Sequence, residues 1–497
     1  MTAIHETHKM GIMSCSSYVI GSIIGSGIFI TAGDVAVQAN SVGLTLVLWF
    51  VCALFSFLGA IVYIELATAI TEPGADYAYA MHVGWKAMAF TFMLVSVCIT
   101  FPASAAVQSI TFGQYVKQFV TDLTSSTVTS NTDIDWTVFT LALLLLAATT
   151  FLNFFALDKA AAPFQILVTI CKVGAILFII AIGFYHLIFL NEKSNFKDAF
   201  AGSNWNVGSI TMGIYGGLWS YAGWDILNYG TPEIKHPHRT MPLSLLFGLS
   251  IVCAAYLLVN TSFFTVLSLQ QVQNSTAIGF EFAEATMGGG LAKVIPAMIA
   301  VLVMGTLNSN IFCGSRVMHA AAREGHLPSF LSAISQSSSP RPAILLQSLI
   351  SVVMCFIPTA KLVNGVTFVM WAQKAVTAAA LLYIRYKNIP VKSDVIRVPI
   401  ILTWILLICS VALVLIPFIT DLDITLFGCG VILLALLLYF VAVRFSLCSC
   451  GGYYKRISDA TSTVVCKLLN VEVDMNKEAS KEEREELNSE DERQLRL

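Results

Sequence analysis

The sequence predicts an all-α polytopic membrane protein with about twelve transmembrane helices, and three observations predict it. Hydrophobic residues make up 57% of the chain and charged residues only 12%, with a mean hydropathy of +0.77. A soluble domain would carry about a quarter charged residues. Apolar runs of the ~20 residues that a spanning helix needs follow one another along nearly the whole length. The first and sixth of these runs are each interrupted in mid-membrane by a cluster of small residues. That pairing separates a working membrane protein from a bundle of anchors.

Taken in order, the spans read as 11–38, 42–70, 86–118, 134–156, 162–190, 207–232, 241–268, 288–320, 341–358, 362–387, 396–419 and 423–446. Residues 1–10 precede them as a cytosolic N-terminus, and 447–497 follow as a tail. No basic region with a short apolar run and a small-residue cleavage site opens the chain, so the first span is expected to serve as its own signal and stay. With the N-terminus inside, Lys86, Arg323, Arg341, Lys387 and Arg444 fall on the cytosolic side with most other loop cations. Lys193, Lys197, Lys293 and Lys361 fall opposite. This asymmetry follows the positive-inside rule, and an even number of spans brings both termini to the cytosol.

Asn274-Ser275-Thr276 is a glycosylation sequon in the loop after span seven, which this topology places outside. The net charge is −2, and residues 471–497 carry ten acidic and five basic side chains. Such a tail, without an apolar stripe, reads as solvated helix or disorder. No basic surface for nucleic acid stands out. The 12 cysteines form no CxxC pair and no metal-like cluster, and no cofactor is implied. Cys448 and Cys450, just past the last span, are candidates for palmitoylation.

Span one carries Gly21-Ser22-Ile23-Ile24-Gly25-Ser26-Gly27-Ile28-Phe29 where its helix should be continuous. Backbone polar groups freed at that depth must find partners, so irregular chain persists only where it lines a cavity or is buried in protein. The spacing of Gly21 and Gly25 also fits close helix packing. Span six decides for a site, because Gly216-Gly217-Leu218-Trp219-Ser220-Tyr221-Ala222-Gly223-Trp224-Asp225 breaks it at the corresponding place. Five being odd, span six crosses in the opposite sense to span one. That is a five-plus-five inverted repeat, 11–190 and 207–387, with two further helices in 396–446.

The helix restarting near Ile28 would aim free N–H groups of Ser26 and Gly27 at a carboxylate, with Gly25 allowing close approach. The ends of the first halves, Ile23 with Ile24 and Trp219 with Ser220, would offer unpaired carbonyls to an ammonium. An α-amino acid satisfies both.

At these residues the chain resembles the L-type amino-acid transporter light-chain family of the amino acid–polyamine–organocation superfamily. The likeness rests on IIGSGIF (23–29), YIELATAI (63–70), GADYAY (74–79), FPAS (101–104), LWSYAGWDILNY (218–229) and the stretch from Gly305 to Pro328. It implies sodium-independent, obligatory exchange of amino acids at the plasma membrane. Ser26 and Gly27 amides would hold the carboxylate, and carbonyls of Ile23, Trp219 and Ala222 the amine, with Ser220 and Gly223 beside them. Trp219 would be the aromatic gate closing from outside. Lys172, in span five, matches the family lysine that stands where sodium-driven relatives bind a cation.

Three departures accompany the likeness. The loop 121–135 lacks the cysteine by which light chains join a heavy chain, which argues against a disulfide-linked partner and leaves a noncovalent one open. Phe101 replaces an arginine, and Pro73-Gly74-Ala75 replaces a Ser-Gly-Gly type motif.

Among the charged and polar residues, Lys172 sits mid-span and costs at least ~2.5–3.5 kcal/mol there unless solvated or paired, which points to the site. Asp225 either attracts a cationic substrate side chain or caps backbone donors in the unwound segment. Glu65 reads as structural. Asn308, in span eight, either lines the pocket or joins helices.

The expected function is alternating-access exchange of neutral, with cationic still open, L-amino acids. No nucleophile–base set or phosphate loop suggests an enzyme. A twelve-helix carrier with parallel halves would need a long central loop, and 232–241 is short. A facilitative uniporter, or a nontransporting sensor or scaffold using the same pocket, is the alternative; a channel suits two broken helices less well.

Overall fold

The computed structural model describes residues 10–25, 27–124, 135–155, 162–275, 278–291, 294–335, 339–392, 394–446 and 461–473. Each predicted segment carries helix. Span one is α1 (Ile12–Ile23) and α2 (Gly27–Ala39), which meet at a 41° bend. Span two is α3 (Val42–Ala69). A short helix, α4 (Asp76–His82), leads into span three, formed by α5 (Lys86–Val95), a π turn (Ser96–Thr100) and α6 (Phe101–Thr124). Spans four and five are α7 (Trp136–Leu152) and α8 (Ala162–Ile188). Span six is α9 (Val207–Ser220) and α10 (Ile226–Tyr229), and span seven is α11 (Pro237–Val266). The short α12 (Leu269–Asn274) and α13 (Ile278–Leu291) lead to span eight, α14 (Val294–Arg323). Spans nine and ten are α15 (Arg341–Met354) and α16 (Thr359–Lys387). Span eleven is α17 (Ile400–Leu415) with α18 (Pro417–Thr420), and span twelve is α19 (Leu422–Ser446).

Among the described residues, eight helices are long and apolar enough to cross a bilayer, or nine with the bent pair counted as one. The other three predicted spans hold shorter helices. α7 has 17 residues, and α9 and α15 have 14 each.

The helix contacts of the first ten spans repeat when five is added to each span number, with one following ten. Span one packs on five and seven, and span six packs on ten and two. Spans three and eight cross each other; span four touches both, and so does span nine. Span five lies on eight as span ten lies on three. This is the pairing that two inverted halves produce. The last two spans stand outside it and are the least covered by protein, presenting Trp404, Ile408, Leu433 and Leu437 outward as a lipid-facing helix does.

Span three runs as one helix over Lys86–Val120 and holds the π turn within it. Two features depart from the sequence reading. The connection after span two is not plain loop, because Gly74 (φ 108°) and Ala75 (φ 48°) turn the chain sharply into α4. Span six stops at Ser220, and only one helical turn follows the break.

Near the C-terminal end of span two, the buried Glu65 carboxylate accepts from Arg385 Nε (2.8 Å), Arg385 Nη2 and Val398 N (2.9 Å), tying span two to the end of span ten. Removing one partner of a buried, hydrogen-bonded pair costs about 3–5 kcal/mol. Glu65→Ala is therefore expected to lower the midpoint of thermal unfolding in detergent clearly, which a fluorescence melt of the purified protein checks.

Candidate functional site

The two breaks face each other across a shared cavity. Its walls include Ser22, Ile23, Gly25 and Gly27 from span one and Trp219, Ser220, Ala222, Gly223 and Asp225 from span six. The π turn contributes Ser96 and Thr100, followed by Phe101 and Ser104, so the irregular stretch of span three faces the same space. Concavity, apolar wall and a few convergent polar groups are what a small-molecule site requires.

The geometry at the breaks is close. Ile24 N bonds Ile20 O at 2.8 Å and closes α1, and α2 begins at Gly27 beside Ser220. A Cβ on Gly27 would lie 2.7 Å from Ser220 Cα, so no larger residue fits without parting the two spans. Thr31 Oγ1 and Ser220 Oγ, 2.7 Å apart, tie α2 to α9. Gly223 turns the span-six chain at φ 100°, a conformation that other residues rarely adopt.

The carbonyls at the breaks are not left unpaired, contrary to the sequence reading. Tyr256 of span seven places its hydroxyl 2.7 Å from Ile23 O and 3.1 Å from Ser220 O, so one O–H serves both breaks. Lys172 Nζ donates to Gly21 O (2.6 Å), Ile24 O (2.6 Å) and Thr306 Oγ1 (2.9 Å). These three acceptors satisfy all the donors of an ammonium. Carbonyls buried away from water demand donors, and neighbouring spans supply them before any ligand arrives.

Asn308, a candidate for the pocket, lies outside the lining. It accepts from Asn153 Nδ2 and donates to Gln165 Oε1, both at 2.9 Å, so it joins spans four, five and eight. Thr306 and Asn310 of the same helix line the cavity instead. Ser26 lies outside the described residues, as do Thr276 of the sequon, most of the loop 121–135, and both tail cysteines. Asn274 is exposed at the end of α12.

Asp225 precedes α10 but makes no capping hydrogen bond. Its Oδ2 accepts from Lys374 Nζ at 2.5 Å, and the same Nζ reaches Asp76 Oδ2 at 3.0 Å. Asp76 also accepts from Gln373 Nε2 (2.9 Å), Thr377 Oγ1 (2.8 Å) and Tyr63 Oη. Lys374 lies over the faces of Tyr63 and Trp224, 4.5 and 5.2 Å from the ring centres. Sequence reasoning missed Asp76 and Lys374. Lys374 was legible by the rule that singled out Lys172, an ionisable side chain in mid-span. Asp76 carried no such signal, since it stands in a connection that only the fold turns inward.

The chain matches the amino acid permease family over residues 10–450. It is 39% identical over 440 residues to amino acid transporter protein 6 of Caenorhabditis elegans, covering 88% of this chain and 83% of that one. With the human b(0,+)-type amino acid transporter 1 it shares 30% over 468 residues, 93% of each. With the human cystine/glutamate transporter it shares 33% over 385 residues, 76% of this chain and 74% of that one. Two facing helix breaks around a shared cavity, in a chain similar to these carriers nearly end to end, make this protein a member of the amino acid permease family, in its L-type light-chain branch of amino-acid transporters.

Proposed function

We propose that the chain exchanges L-amino acids across the plasma membrane by alternating access, obligatorily and without sodium. The observation that carries this reading is the cavity shared by the two breaks, with the N-terminus of α2 at Gly27 on one wall and the end of α9 on the other. A helix N-terminus favours a carboxylate, and a helix C-terminus favours an ammonium. The amides of Gly27 and Ser26 take the carboxylate. Second lone pairs of Ile23 O and Trp219 O, with Ala222 O, take the amine. Ser220, Gly223 and Gly25 keep the backbone within reach.

Trp219 closes the cavity from outside. Phe101, Met370 and Ala222 give it apolar wall that suits a neutral side chain. Lys172 supplies from the protein the positive charge that a bound cation would bring, which fits independence from sodium. Substrate contacts offset the cost of the closed state, so the loaded carrier reorients and the empty one does not. A loop 121–135 without cysteine favours a carrier with no disulfide-linked heavy chain.

Purified chain in liposomes is expected to take up labelled leucine only when the vesicles are preloaded with amino acid, equally with and without sodium. Uptake into empty vesicles to the same extent would mean uniport; none from well-folded protein would favour a sensor or a missing partner. Gly27→Val should abolish uptake, because its side chain meets Ser220 backbone. Gly174→Ala, with open space around the new methyl, should keep it.

A further inference from the structure

We infer that Asp76, Lys374 and Asp225 form a charge filter for the substrate side chain: the site accepts cationic and neutral amino acids, prefers a cationic side chain, and excludes those with a side-chain carboxylate. The inference rests on the transport reading above and names the substrate class of that site.

All three residues line the cavity and are buried, with side-chain exposures of 2% for Asp76, 7% for Lys374 and 9% for Asp225. One ammonium faces two carboxyl groups, a formal excess of one acidic group on the cavity wall. A buried charge without a counter-ion is costly, so the site gains when a ligand brings a cation and loses when it brings another anion. Lys374 cannot serve as a receptor for an anionic side chain, because both aspartates already hold it.

The two carboxylates differ in what remains free. Asp76 is saturated: Tyr63 and Thr377 donate to Oδ1, and Gln373 and Lys374 to Oδ2. Asp225 takes Lys374 at 2.5 Å and Tyr229 Oη at 3.4 Å, both on Oδ2. Among the described residues no hydrogen bond reaches its Oδ1. Asp225 is thus a buried acceptor with an unused oxygen, on the wall of the cavity and just past the span-six break. A side chain projecting from an α-carbon held between the breaks meets it there. Asp76 and Lys374 act as positioning residues: Asp76 anchors Lys374, and Lys374 in turn holds Asp225 by its Oδ2.

The test uses full-length chain in vesicles preloaded with leucine and labelled leucine, arginine or glutamate outside. Arginine and leucine are expected to enter, with glutamate at least tenfold below both. Asp225→Asn should lower the arginine-to-leucine uptake ratio at least tenfold through a raised KM for arginine, and Asp225→Glu should restore the preference. Leucine exchange with no arginine uptake, glutamate entering as well as arginine, or an unchanged ratio in folded Asp225→Asn would overturn the filter. Absence of exchange for every amino acid would instead overturn the transport reading beneath it. The wild-type profile decides the matter even where a variant fails to fold.

Discussion

Every buried N–H and C=O at the two helix breaks must be satisfied in a medium that offers no water, and much of this structure answers that demand. Span one and span six each give up helical hydrogen bonds, and the surrounding spans return them. Tyr256 spans the gap between Ile23 O and Ser220 O with one hydroxyl. Trp49 and Tyr221 pack against its ring, at 5.6 and 4.9 Å between centres, and hold it upright. The break is therefore a built feature rather than a weak point in two helices.

Charge follows the same economy. Among the described residues Lys172 pairs with no carboxylate; it donates to three oxygens at the first break and so replaces hydrogen bonds that unwinding removed. Glu65 and Arg385 clamp the ends of spans two and ten, where the protein can be rigid. Lys374, by contrast, ties Asp225 beside the second break to Asp76 beyond span two, so spans six and ten and the connecting α4 converge through ionic contacts on the cavity wall. The first lysine organises backbone and the second organises charge.

The repeat makes the arrangement reversible in principle. Broken spans one and six lie against two supports each, five with seven and ten with two, and the crossed pair of spans three and eight lies between. Small residues at the contact, such as Gly27 against Ser220, let the broken spans approach closely. A carrier that rocks one set of helices against another needs such flat, closely fitting faces.

Much was legible in the chain itself. Long apolar runs must become helices in a bilayer, and a glycine cluster repeated five spans apart must be a break, because lipid leaves no other solution. The family motifs then named the transporter. The sequence could not decide which groups meet across the cavity. Asn308 looked like a pocket residue and instead bridges Asn153 and Gln165, because its helix face is set by packing of spans four, five and eight. Asp76 looked like loop and instead reaches Lys374, 298 residues away, because Gly74 and Ala75 turn it inward. One-dimensional pattern reports what each span must bury; only the packed bundle decides which buried charges find each other, since that depends on distances between helices far apart in the chain.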